Sequence, residues 1–396
     1  TTKVEQLIQQ YCPDGVEYKK LGDIENSGLI KLGRGNVISK QDMVECPGDF
    51  PVYSSSSVGD GEIGRYGKYM FDDERISWSI DGGGKFFYRN NIKYSITNVS
   101  GWLKVLVPEL VSAKYLYYSL TNEWVKKVYD YTHKAHPSVI REEYVLPLPP
   151  LPVQEEIVRI LDNFAELQAE LQAELQKRLQ QYNYYRDNLL SFEGRTDVEW
   201  KKLGEIATDW YRGAGIKRDE VSEEGIPCIR YGEIHTTYNI WFDECVSHTD
   251  ENKQPAKKYA DYGDILFAIT SEDIPFIGNS VAYIGKERIL VGGDIVVMKH
   301  TQNPKYMSYV LSTSDAVMQK GKGKVKSKVV HTSVPSLKEI VVPIPSLEEQ
   351  ERIATILDKF YTLTTDITAG LPAEIEARRK QYEYYRDQLL TFKQKA

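Results

Sequence analysis

Between Gln154 and Phe192 the chain runs without a glycine or proline, and three tandem AELQ units fill its centre at Ala165–Gln168, Ala169–Gln172 and Ala173–Gln176. Such a segment reads as one long helix, roughly 55–60 Å at about 1.5 Å of rise per residue. Its apolar residues Ile157, Ile160, Phe164, Leu167, Leu171, Leu175, Leu179, Tyr182 and Leu189 recur mostly at three- and four-residue steps. They form a winding stripe that needs a partner helix. The same chain supplies one, because QYNYYRDNLLSF at Gln181–Phe192 returns as QYEYYRDQLLTF at Gln381–Phe392.

The repetition extends to the whole chain. Val16–Ile24 (VEYKKLGDI) returns as Val198–Ile206 (VEWKKLGEI). Pro147-Leu148-Pro149, Gln154-Glu155 and Ile160–Phe164 return as Pro343-Ile344-Pro345, Gln350-Glu351 and Ile356–Phe360. A period of half the chain is a duplicated domain, not a solenoid. Each half contains a VE(Y/W)KKLG start, a Gly-, Tyr- and Ser-rich stretch (25–145 and 207–341), a Pro-rich turn and the long helix. Gly101–Val107 and Gly263–Ile269 read as strands, and Tyr115–Tyr131 and Pro304–Met318 as helices. Each globule is therefore mixed α/β, with a strand order the sequence leaves open. The divisions expected are 1–152, 153–194, 195–346 and 347–396. The second long helix carries an insertion containing Gly370-Leu371-Pro372, which predicts a kink or break. Two such helices bury their stripes most simply as an antiparallel pair.

At 396 residues, with 41% hydrophobic and 27% charged, the chain has ordinary globular composition. Cys12, Cys46, Cys228 and Cys245 lie far apart, suggesting neither a disulfide framework nor a zinc ribbon, so a reducing compartment fits. With no leader-like start and no long apolar run, a soluble, cytoplasmic protein is expected. The net charge of −7 means that any nucleic-acid surface must be a local basic patch.

Several motifs invite catalytic readings that their contexts oppose. Gly59–Gly64 matches G-x-G-x-x-G, but a strand rather than a helix is expected after it, so a turn-rich loop is the reading. Asp81–Lys85 lacks the phosphate-loop spacing; it is a hairpin turn or a glycine loop that offers Lys85 to a phosphate. Asp14 with Glu17 and Lys19 resembles a metal-nuclease signature, yet Asp197, Glu199 and Lys201 repeat it, which makes it scaffold. His133 and His136 lack a carboxylate or cysteine at a zinc-like interval. No amino-methylation motif and no Walker A loop occurs. Tyr182, Tyr184, Tyr185 and their copies Tyr382, Tyr384 and Tyr385 are expected to pack against the neighbouring globules.

The order of globule, P-x-P, Q-E, long helix and QYxYYRDxLLxF, repeated over essentially the full length, resembles the specificity subunit of type I restriction-modification systems. The resemblance implies an α+β fold with two mixed α/β target-recognition domains, joined by two long antiparallel helices with a pseudo-twofold repeat. It implies a non-catalytic subunit without cofactor or metal that reads a bipartite double-stranded DNA target. Two S-adenosylmethionine-dependent adenine methyltransferase subunits would dock on its helices, and ATP-dependent restriction subunits would join the complex. The AELQ units are similar to the tetrapeptide repeats that set the spacing between half-targets in some members.

Candidate DNA contacts follow from residue chemistry. In the first domain they are the Ser54–Ser57 loop (Ser54, Ser55 and Ser56 foremost), Arg65, Lys85 and Asn98. In the second they are Arg212, Lys217, Arg218, Arg230 and Tyr231. The run Lys320–Lys328 places lysines at alternate positions, so Lys322, Lys324, Lys326 and Lys328 would share one face with Lys320 and follow a phosphate backbone. The competing reading is a coiled-coil scaffold whose globules bind proteins or glycans. A fused methylating enzyme is opposed by the missing motifs.

Overall fold

The computed structural model describes residues 2–55, 59–130, 132–254, 256–322, 329–365 and 370–395. The chain divides into two compact units, one of residues 1–171 with 375–396, the other of residues 172–374. The long helix spans Leu151–Ser191 without interruption and contributes to both. Its sequence counterpart is two helices, Leu347–Thr365 and Leu371–Leu389. Pro372 sits in the first turn of the latter, where its missing N–H does no harm, so the expected interruption is present.

In the first unit an antiparallel sheet orders its strands Ile30–Arg34, Ser100–Val105, Arg75–Ser79, Phe86–Arg89, beside a smaller sheet of Glu62–Tyr66, Phe50–Tyr53 and Ser95–Ile96. Trp78, Ile76, Leu103, Leu116 and Leu120 pack the core between the main sheet and the helix Ala113–Trp124. That helix is shorter than the Tyr115–Tyr131 expected from periodicity. The second unit has two five-stranded sheets, Ala207–Arg212, Ile295–His300, Ile265–Ala268, Ser280–Tyr283, Trp241–Phe242 and Val221–Ser222, Ser247–Thr249, Ile226–Ile229, Ile289–Val291, Tyr259–Ala260. The helix expected over Pro304–Met318 is two, Pro304–Leu311 and Ser314–Gly321. Thr313 caps the second by accepting from Ala316 N, and the Ser312-Thr313-Ser314 run favours a cap over helix continuation.

The repeated segments build the same joint twice. The strand Tyr18–Lys20 pairs with Val145–Pro147, and Glu199–Lys202 with Val341–Ile344. The carboxylates and lysines of the nuclease-like signature thus lie on structural strands. Gln154 is fully buried; its Nε2 donates to Pro149 O (2.7 Å) and Leu110 O (3.1 Å), and its Oε1 accepts from Ser112 N (2.9 Å). Gln350 repeats this with Pro345 O (2.9 Å), Gln302 Oε1 (2.8 Å) and Asn303 N (3.0 Å). Two turns further on, Asp162 accepts from Tyr118 Oη (2.6 Å) and Lys114 Nζ (2.7 Å). Asp358 accepts from Tyr309 Oη (2.6 Å), Lys305 Nζ (2.6 Å) and Trp241 Nε1 (3.0 Å). Burial and these carboxylates push the Tyr118 and Tyr309 hydroxyls far above the usual phenol range.

The helical pairing is read within each unit. In the second, Tyr185 stacks on Phe360 (5.6 Å) and Arg195 reaches Glu349 (3.3 Å). Advancing along one segment retreats along the other, as antiparallel packing requires. In the first, Phe164 packs on Tyr382 and Tyr385 (6.3 and 5.5 Å). The tyrosine expectation is corrected in part: Tyr185 and Tyr385 stack on the partner helix, whereas Tyr184 and Tyr384 are 67% and 62% exposed. The C-terminal tail closes the first unit. Val16 N donates to Lys393 O (2.8 Å), Lys395 N to Val16 O (3.0 Å), and Phe392 N to Tyr18 Oη (3.0 Å). Gly15 permits this approach, with φ +106° and Lys393 O only 2.6 Å from where a Cβ would stand.

Replacing Gln350 by Ala removes three hydrogen bonds and strands buried partners. Denaturant unfolding of Gln350→Ala should show a loss of roughly 2–4 kcal/mol; a change within about 0.5 kcal/mol would show that the amide does not hold the joint.

Candidate nucleic-acid interface

In the first unit the candidate loop is gathered by the main sheet. Ser54 N donates to Gly61 O (3.0 Å), Ser54 Oγ meets Thr97 Oγ1 (2.8 Å), and Ser79 Oγ donates to Ser55 O (2.9 Å). Ser56 and Ser57 lie outside the described residues. Gly59 and Gly61 take positive φ in the turn of a β-hairpin, and Gly83 and Gly84 in another, so both glycine motifs are turns. Lys85 Nζ donates to Gly59 O (3.2 Å), which ties it to this loop. Asn98 follows Thr97, and its carbonyl accepts twice from the Arg34 guanidinium (2.6 and 3.1 Å). Ser54, Ser55, Lys85 and Asn98 therefore border one loop cluster. Arg65 is committed elsewhere, to Glu62 (2.8 and 3.3 Å) and Asp49 O (2.8 Å).

Two arginines of this cluster escaped the sequence reading. Arg34 is exposed beside Asn98. Arg89, only 6% exposed, lies 3.5 Å from the Tyr53 ring centroid and bonds Ser77 Oγ (3.3 Å) and the Asp60 carbonyl. Burial pushes its pKa down, and the nearby Tyr53 and Asp60 offset this only in part. Its alternation with Phe87 on one strand was the available signal.

In the second unit Arg218, Arg230 and Tyr231 line one cavity of about 630 Å³, together with Asp294. Arg212 donates to that Asp294 (2.7 Å). Lys217 adjoins Arg218 and is exposed, 3.8 Å from Glu220. Arg230 Nε is buried without a hydrogen-bond partner among the described residues, 3.8 Å from Glu233. Tyr231, Gly232 and Thr236 also line a second cavity of about 450 Å³, which reaches Val329, where the lysine run ends. The sequence candidates of this half are thus brought to adjoining surfaces.

The lysine run is corrected at its first member. Lys320 ends the Ser314–Gly321 helix and points inward, 6% exposed, donating to Leu311 O (2.7 Å) and Ser280 Oγ (3.2 Å). It does not share a face with Lys322, which is exposed. Lys324, Lys326 and Lys328 lie outside the described residues. No His, Cys, Asp or Glu cluster able to hold a metal is found among the described residues, and no helix is long and apolar enough to cross a membrane.

A duplicated α+β chain with two globules, each bound by the same joint to a long helix, defines a class of two-headed recognition proteins. The chain belongs to the family described as Type I restriction modification DNA specificity domain, whose model matches residues 13–181 and 196–377. It is 36% identical over 306 residues to a type I restriction enzyme specificity subunit of Escherichia coli, covering 74% of this chain and 69% of that one. It is 30% identical over 402 residues to a putative specificity subunit of Haemophilus influenzae, covering 95% and 96%. The crystal structure of a type I S subunit from M. genitalium shares the fold, with TM-score 0.51, 17% identity and 95% of each chain covered. As a member of this family the chain is a non-catalytic specificity subunit with a DNA-recognition role, and methylation and restriction reside in other subunits.

Burial pushes the Lys320 ammonium down from 10.5 to about 7. The unfolded chain then binds more protons than the folded one between those values, so stability rises with pH across that window. Urea unfolding at pH 7 and pH 9.5 should show this rise in the wild type and its loss in Lys320→Met; an identical slope in both would place the ammonium in water.

Proposed function

We propose that this chain reads a bipartite, asymmetric duplex target, one half per globule, and carries two S-adenosylmethionine-dependent adenine methyltransferase subunits on its helices. ATP-dependent restriction subunits join the same complex, and its place is the cytoplasm, with the DNA. The observation that carries the reading is the gathering of Arg218, Arg230 and Tyr231 around one cavity, with Glu233 and Asp294 in the same lining, in a chain of net charge −7. Arginines gathered locally against that overall charge favour a polyanion. Lys217, Arg218 and Lys322 suit phosphates, which position without specifying. Arg230, with its buried unbonded Nε, and Tyr231 suit base edges. In the first globule Ser54, Ser55 and Asn98 take that role, while Lys85 and Arg89 hold the loop that presents them. Ser56, Arg65 and Arg212 remain proposed base contacts, the two arginines from within their pairs with Glu62 and Asp294, and Lys324, Lys326 and Lys328 remain proposed phosphate contacts.

Two different globules on one repeated joint support a modular reader. The outward Tyr184 and Tyr384, equivalent in the two repeats, mark where we place the methyltransferases, since exposed aromatic residues are apt interface anchors.

Binding of the assembled complex to duplex should fall steeply with salt, the logarithmic slope being about −0.9 per phosphate neutralised. Arg218→Ala should lower that slope by about one on all sequences. Salt-independent binding would overturn the DNA reading. The AELQ units lie inside the uninterrupted Leu151–Ser191 helix. Deleting one removes about 6 Å of rise and about 40° of rotation beyond a full turn. Genome-wide mapping of methylated adenines should then show a shorter spacer between unchanged half-targets; an unchanged spacer would refute the ruler.

A further inference from the structure

The cavity of about 450 Å³ in the second unit contains chemistry that phosphate binding does not use. One wall is the short helix Tyr231–Thr236, which presents Tyr231 and His235 one turn apart; the other is the segment Thr270–Phe276. Both walls are held from behind. The His235 ring bonds Thr270 O (3.0 Å) and Asn279 Nδ2 (3.4 Å), Thr270 Oγ1 meets His331 Nδ1 (3.2 Å), and Asp273 N donates to Ser271 Oγ (3.3 Å). The second wall carries Phe276, 53% exposed, and the carboxylates of Glu272 and Asp273. Both carboxylates are exposed and have no ion-pair partner among the described residues.

This cavity shares Tyr231, Gly232 and Thr236 with the one that Arg218 and Arg230 line, and carboxylates on such a surface are unfavourable opposite a phosphate backbone unless they face a hydrogen-bond donor. A duplex offers such donors only on its base edges. In the major groove cytosine presents the N4 amino group alone. Adenine adds the N7 acceptor beside N6, while guanine and thymine present acceptors. An acceptor-only carboxylate therefore matches cytosine best, meets the repelling N7 beside the N6 donor on adenine, and finds only acceptors on guanine and thymine. The exposed Tyr231 and Phe276 rings offer apolar faces beside the carboxylates. Resting on the DNA-reading function above, we propose that this cavity reads one cytosine of the second half-target through Glu272 and Asp273.

The test uses the complex assembled with its partner subunits, and a panel of duplexes in which each base pair of the mapped target is exchanged in turn. In Glu272→Gln/Asp273→Asn the preference for cytosine at one position of the second half should fall by about ten-fold or more, since an amide also accepts adenine. Every other position, the first half-target and the salt slope should stay as in the wild type. An unchanged panel, or equal weakening on every sequence, overturns the inference while the DNA face stands, provided that Arg218→Ala still lowers the salt slope. If the wild-type complex itself shows no sequence preference and no salt dependence, the proposed function fails, and the inference with it.

Discussion

Two buried side-chain amides hold this protein's recognition globules to their supports. A glutamine offers two donors and an acceptor, and at both Gln154 and Gln350 all three are bonded with no exposure to water. An apolar contact at the same place tolerates sliding; a fully bonded polar one has a single low-energy geometry, because any shift strands a desolvated group. Asp162 and Asp358 add a second fixed point further along each helix, bonded to Tyr and Lys of the globule's own helix. Two points determine an orientation, so each globule is set against its helix as a rigid head. The spacing role proposed above requires that rigidity, since a ruler with loose ends measures nothing.

The partners of this joint are largely main-chain atoms. Pro149 O, Leu110 O and Ser112 N serve Gln154, Tyr115 Oη donates to Pro147 O, and Tyr306 Oη to Pro343 O. Main-chain groups are present whatever the side chain, so the joint places few demands on the sequence of the globule beyond it. The two globules differ accordingly, one built on a four-stranded and a three-stranded sheet, the other on two five-stranded sheets.

What the sequence disclosed follows from where its periodicities lie. The 3.6-residue stripe and the near-identical repeats made the helices, the duplication and the break near Gly370-Leu371-Pro372 legible, because local patterns determine local structure. Strand order was not legible, since it depends on pairings between residues far apart, such as Lys31 with Lys104 or Leu266 with Val297. Alternation misled at Lys320, where a helix carries on into the basic run and turns its last lysine inward. Arg65 and Arg212 look like free cations in a string of letters; Glu62 and Asp294 neutralise them in space. The division of the Leu151–Ser191 helix between two units was equally hidden, because it depends on what returns from the far end of the chain.

The charge balance carries the same lesson to the interface. A chain with 57 acidic and 50 basic residues approaches DNA against an average repulsion, so attraction must come from a patch narrow enough for screening to hide the remainder. At physiological salt the screening length is about 8 Å. Within that distance Arg218 and Arg230 stand with Glu233 and Asp294 around one cavity; acidic residues farther off are largely screened. Non-specific adhesion to random DNA is thereby weakened, and the burden of affinity shifts to contacts that only the correct bases complete. For a DNA specificity subunit, a negative chain whose attraction is local is better matched to selection than a uniformly basic one.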